Sequence, residues 1–248
     1  HPASLVWKKG WTREPLQVPV AELEEMRTPA MGLLPQGELA NSPTEPCMIP
    51  RGVFGGLSEQ MLIGEMNSPT LVRFLPDSVG DVSQGAAIPF LRTRSLGAGN
   101  HRLTFTPDGS LWVAKTHLSW AGDEGLVKVS LRDQANDFLA VNRFELTSAG
   151  FSVGFTQPIQ TSSLKAVEII THTYKYHAGY GSPKVDKKKV SSEVTRFSAD
   201  ARSCLINFND PGDLKEGYLY TISLPEVLSN KGKPVLGDTV YYTLNARR

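Results

Sequence analysis

At 248 residues the chain is long enough for two ordinary domains or one large β domain. Its 40% hydrophobic and 21% charged content describes a folded chain rather than a disordered one, and a net charge of +1 leaves no overall field to draw nucleic acid or an anionic membrane. No apolar run approaches the roughly 20 residues that a membrane span requires, and 22 Gly with 17 Pro point to many turns and few long helices.

His1 to Pro50 is proline-rich and aperiodic. Ala3–Trp7 reads as a short strand and Val20–Met26 as a short helix. From there to Pro50 the chain reads as a long loop with turn chemistry such as Asn41-Ser42-Pro43. A loop of that length in a compact domain is functional or packs over a larger scaffold. Strands are expected over Glu59–Asn67 and Thr70–Pro76, joined by the turn Asn67-Ser68-Pro69, and over Ala86–Leu91. Asn100–Thr116 then reads strand, turn, strand: Leu103 and Phe105 alternate with polar neighbours, Pro107-Asp108-Gly109 supplies the turn, and Leu111 and Val113 resume the alternation. Gly125–Leu131 follows as a strand. Two successive units thus share an order: an apolar strand ending in a polar cluster, a loop, and a strand with one basic residue. Their spacing of about 50 residues falls in the range of propeller blades.

The pattern changes near Val141. Alternating runs such as FELTSAGFSVGFTQPI, AVEIITHTYKYH, SCLINF, YLYTISL and VYYTL are separated by turn signals. About seven short strands over roughly 110 residues suggest an immunoglobulin-like sandwich without the Cys-Trp-Cys hallmark of antibody domains. The expected fold is therefore all-β, with a partial propeller of about two blades and a long N-terminal loop in residues 1–140, then an Ig-like β-sandwich in 141–248. Cys47 and Cys204 fit no disulfide framework or metal motif, a single bridge between them stays open, and Cys204 reads as a small buried apolar residue.

Several side chains suit ligand chemistry. His101, Arg102, His117 and Trp120 lie around one hairpin; on a common face a Trp ring stacks on a sugar while Arg and His donate hydrogen bonds, or Trp120 packs between blades and the polar groups tie loops together. Glu65 and Asn67 stand at the end of an apolar strand, where many β folds bind ligands, although Asn67 before Ser-Pro is also ordinary turn chemistry. On a strand, His172, Tyr174 and Tyr176 share a face and His177 lies opposite. Tyr174, Tyr176 and Tyr180 then form either a carbohydrate- or partner-binding strip or a cross-strand aromatic ladder. Lys187, Lys188 and Lys189 read as a solvated loop face. His1 raises a different chemistry: a free amino terminus and its imidazole chelate copper, as in copper-dependent oxidative enzymes, with a cut inside a longer chain as the other explanation. The sequence holds no G-x-S-x-G, H-E-x-x-H, P-loop or GxGxxG motif, so no catalytic residue is assigned.

HPASLVW, ANSPTEP, MLIGEMN, NHRLTFTPDGSLWVAKTHLSWAG and YYTLN together resemble the C-terminal part of large bacterial proteins, the secreted glucose/sorbosone dehydrogenase-like proteins with a six-bladed propeller and a trailing Ig-like module. The resemblance covers nearly the whole chain. It implies a secreted or periplasmic location, and a propeller able to bind pyrroloquinoline quinone and calcium and to oxidise sugars. Arg102-Leu103 matches a dipeptide of those enzymes. The base expected a few residues earlier falls near Ala98, and His101 is directly adjacent to Arg102. Two functional readings result. One is the C-terminal portion of a sugar-dehydrogenase-like protein with catalysis located elsewhere, completed by the remaining blades or another protein chain. The other is a non-catalytic glycan- or protein-binding module.

Overall fold

A computed structural model describes residues 19, 22, 25–117, 122–131, 138–164, 167–175 and 181–248. His1, the strand expected over Ala3–Trp7, Trp120, Tyr176, His177 and Tyr180 lie outside the described residues, as does most of the helix expected over Val20–Met26. Of that helix, Glu22 and Glu25 have helical backbone, and Met26 N donates to Glu22 O at 3.3 Å.

The described residues form an all-β fold of sixteen strands in three sheets. The first meander is β1 (Pro43–Met48), β2 (Met61–Glu65), β3 (Thr70–Val79) and β4 (Val82–Arg92), each antiparallel to the next. A second is β5 (Asn100–Phe105), β6 (Leu111–Lys115) and β7 (Leu126–Val129). The remainder is β8 (Leu139–Thr147), β9 (Gly150–Phe155), β10 (Glu168–Tyr174), β11 (Lys184–Val190), β12 (Ser192–Thr195), β13 (Ser203–Phe208), β14 (Tyr218–Ser223), β15 (Val235–Leu236) and β16 (Thr239–Leu244).

One sheet has the order β1-β2-β3-β4-β16-β14-β10-β11, a second β12-β13-β9-β8-β15, and a third β5-β6-β7. The eight-stranded sheet therefore runs across the boundary expected near residue 140. The join is β4 with β16, through Tyr241↔Ala87, Tyr242↔Ala86 and Thr243↔Gly85. Gly85 is required there, because a Cβ would stand 2.3 Å from Leu75 O.

Three apolar clusters hold the sheets together. Between the eight- and five-stranded sheets, Phe144, Phe151, Phe208, Tyr220 and Tyr242 pack with ring centroids 4.9–5.8 Å apart. The buried tyrosine hydroxyls are satisfied: Tyr242 donates to Asp77 Oδ2 at 2.7 Å and Tyr220 to Asp213 O at 2.6 Å. Cys204 is buried in this cluster, and both cysteines are free thiols. Between the two meanders, Leu57, Leu62 and Leu71 meet Leu111 and Val113, with Phe54 edge-on to Phe105 at 5.6 Å.

The third cluster lies on the opposite face of the eight-stranded sheet. A strap, residues 31–40, lays Met31, Leu33, Leu34, Leu39 and Ala40 over Val72, Phe74, Ala87, Leu219 and Tyr241. Alternation along β3 explains the division: Val72 and Phe74 face the strap, while Leu71, Arg73 and Leu75 face the other way. Much of the long loop thus packs over a scaffold.

Arg73 is an ionisable group in the seam where the first meander meets β8. It is fully buried; Nη1 donates to Gln60 Oε1 at 2.8 Å and to Val141 O at 2.5 Å. Gln60 Nε2 in turn donates to Asn142 O at 2.9 Å. Burial pulls the Arg73 pKa down to about 9, so the guanidinium stays charged at neutral pH.

Three strands were not expected from the sequence: β1, β11 and the two-residue β15. β1 lies in what reads as loop, because Pro43 and Pro46 remove ladder donors; it sits at the sheet edge, where proline is tolerated. Lys187, Lys188 and Lys189 belong to the edge strand β11 rather than to a loop, though they are exposed as expected.

Candidate functional site

The hairpin Asn100–Thr116 forms as its turn residues dictate. Gly109 has φ +79°, and its N–H donates to Thr106 O at 2.9 Å. Asp108 Oδ1 accepts from Thr106 Oγ1 at 2.5 Å and Ser110 N at 3.1 Å, and Oδ2 from Ser110 Oγ at 3.0 Å and Lys128 Nζ at 3.1 Å. These bonds, that from Thr106 first, hold the carboxyl well below the usual range.

The opposite end of the hairpin carries the densest polar cluster near the predicted residues. Asn100 opens β5, is fully buried, and faces Lys115 at the end of β6. Its Nδ2 lies 3.2 Å from Glu65 O, 3.2 Å from Ser68 O and 3.0 Å from Gly97 O. Gly64 lets β2 approach, since a Cβ there would stand 2.2 Å from Asn100 O. Lys115 Nζ donates to Ala98 O at 3.1 Å and lies 3.6 Å from Asp123 Oδ2, which accepts from Ala98 N at 2.9 Å.

Glu65 stands beside this hub and is fully buried. Oε1 accepts from Asn41 N at 3.0 Å and Ser42 N at 2.8 Å; Oε2 accepts from Ser68 Oγ at 2.5 Å and from Ser68 N. Both oxygens are thus committed to the strap's end and the β2–β3 turn. Asn67 is exposed on that turn.

Around the rim the predicted residues separate. Arg102 Nε pairs with Glu45 Oε2 at 3.1 Å, and its Nη1 lies 3.3 Å from His101 Nε2. His101 is half-buried. His117 is exposed, with Nδ1 3.4 Å from Gly122 O. Tyr174 lies on β10 and takes no part in the hydrogen bonds around Glu65 and Asn100. Its ring stands edge-on to His172 at 5.1 Å and packs on the cluster beneath the strap, where burial raises its pKa. That contact agrees with a shared strand face for His172 and Tyr174.

The structure therefore gathers Glu65, Asn67, His101, Arg102 and His117 at one end of the two meanders and leaves Tyr174 apart. The arrangement can present Arg and imidazole nitrogens to a polar ligand at its rim, while its interior is a network of loop ties. No group of three or more His, Cys, Asp or Glu suited to a metal occurs among the described residues. Asn100, Lys115 and Glu45 were missed by sequence reasoning. A lysine ending an apolar strand was the available signal for Lys115. Asn100 carried none, since its partners are backbone carbonyls that the fold brings to it. Comparisons with family models, with curated proteins and with solved structures return no match.

Proposed function

We propose that this chain is the C-terminal portion of a secreted or periplasmic, sugar-dehydrogenase-like propeller protein. In this reading β1–β4 and β5–β7 are successive blades, and β8–β16 form an Ig-like sandwich. Catalysis lies on blades outside this chain, with pyrroloquinoline quinone and calcium as the cofactors the resemblance implies. One observation carries the reading: two consecutive antiparallel meanders pack face to face, and the second leaves Leu126 66% exposed on its last strand. A propeller blade ordinarily has a neighbour on each side. The four strands β16-β14-β10-β11 facing the five of β12-β13-β9-β8-β15 across one apolar core support the sandwich.

A non-catalytic glycan- or protein-binding role is the second reading, favoured by Glu65, whose two oxygens already hold protein donors. The mass and composition of the native particle test the first reading: it expects further blade sequence in the same particle, and a lone 27.1 kDa chain overturns it. Dye-linked sugar oxidation with added quinone and calcium tests the second. Turnover by this chain alone refutes a purely binding role.

A further inference from the structure

His172 combines burial and an unpaired nitrogen with a place beside the strap-covered face. It is 2% exposed in β10, and its Nε2 has no hydrogen-bond partner among the described residues. Its ring meets Tyr174, which packs on the cluster covered by the strap. Across the sheet it lies opposite the apolar Leu219 of β14. Above this region the strap's Glu38 pairs with Lys184 of β11, closing the strap over the β10–β11 end of the sheet. On either side of Glu38 along the chain the strap is tied by Leu33 N on Thr243 Oγ1 at 2.8 Å, and by Asn41 N and Ser42 N on Glu65.

We propose that His172 is an acid-operated release for this strap: a proton on its buried imidazole loosens residues 31–40 from the β10–β11 end of the sheet and uncovers the apolar face beneath. A neutral imidazole tolerates this position. An imidazolium there makes both ring nitrogens donors, and a buried charge without a partner is expensive. The charged groups facing it are Lys184 and Lys187 of β11 and Glu38 of the strap. Glu38 is already committed to Lys184, so the surroundings add repulsion to the loss of water. Tyr174 and Tyr241, the neighbouring tyrosines, have raised pKa values and stay neutral throughout.

The sign follows from linkage. Burial first, then Lys184, lowers the His172 pKa below its ordinary 6.5 while the strap is closed. With the strap open the group returns toward 6.5. The closed state is therefore fully favoured above that value and loses ground as pH falls toward the lowered one.

Hydrogen–deuterium exchange on the intact chain tests this at about pH 7.5 and about pH 5.5, with every rate normalised to its intrinsic value. Protection of residues 31–40 should fall by up to about tenfold per pH unit, while the β3–β4 hairpin stays unchanged. His172→Phe should keep the neutral-pH protection at both values, and Glu38→Gln should retain the pH step. Strap protection that does not fall in the parent chain overturns the proposal. So does an equal fall in His172→Phe, or a step abolished by Glu38→Gln. If His172→Phe does not fold, the imidazole resonance of His172 in the parent chain decides: a midpoint at or above 6.5 overturns the release, and a lower one that coincides with strap shifts supports it.

Discussion

At the scale of single residues, the molecule uses its buried polar groups as fasteners. Glu65 is the clearest case, because four donors from the strap and the β2–β3 turn converge on it. Glu65→Ala strands those donors and should cost about 3 kcal/mol in urea-induced unfolding. Glu65→Gln keeps one accepting oxygen but sets an amide NH2 against Ser68, so roughly half the loss is expected. The two thiols differ in reactivity for a related reason. Burial pushes the Cys204 thiol up to about 12, so essentially no thiolate forms at ordinary pH, and the residue is 1% exposed. Cys47 is half-exposed and raised by burial and by Glu45. Alkylation of the native chain followed by peptide mass mapping should label Cys47 slowly and leave Cys204 unmodified until the protein is unfolded.

At the scale of elements, what the sequence disclosed tracks how local each cause is. The β5–β6 hairpin was legible because Pro107, Asp108 and Gly109 carry the turn by themselves. The runs that became β2, β3, β4, β13, β14 and β16 showed as apolar or alternating patterns, and β10 likewise placed His172 beside Tyr174. β1 was illegible because Pro43 and Pro46 argue against a strand that only a sheet-edge position permits. β11 was illegible because KVDKKKV alternates nothing and is exposed over six of its seven residues. The candidate site was half legible: Glu65 and Arg102 could be named, but that Glu65 is spent on loop amides and Arg102 on Glu45 depends on contacts far along the chain. Gly64 shows the same dependence, since its need arises from β5. Gly64→Ala would force β2 away from Asn100 and Thr44, and should cost about 2 kcal/mol or more in thermal unfolding.

At the scale of the whole molecule, the central fact is that one sheet draws strands from both halves of the chain. β4 and β16 meet through three residue pairs, and Gln84 Nε2 reaches Tyr242 OH at 2.9 Å across the join. Such pairing leaves no trace in local patterns, so the shift in strand character near Val141 marked where the sequence changes and not where the sheet ends. Arg73 makes a second tie between the two halves of the chain, holding the β8 backbone as well as Gln60. Its charge has no ion-pair partner among the described residues, which makes the arrangement sensitive to which part of the side chain is kept. Arg73→Met fills the stem without a charge, whereas Arg73→Lys keeps the charge without the fork. The Met variant should be the more stable of the two by roughly 1–3 kcal/mol in denaturant titration, and the reverse order would show that the charge itself is what the seam requires.

The eight-stranded sheet ends at β11, three of whose four ammonium groups are anchored: Lys184 to Glu38, Lys188 to Asp213 and Lys189 to Glu168. A bare flank of this kind ordinarily invites copies to stack and seeds fibre growth. Here an incoming copy would have to lay its own lysine row against another and prise apart those pairs. Crowding therefore meets an insulated border, and acetylating those lysines would strip the insulation away.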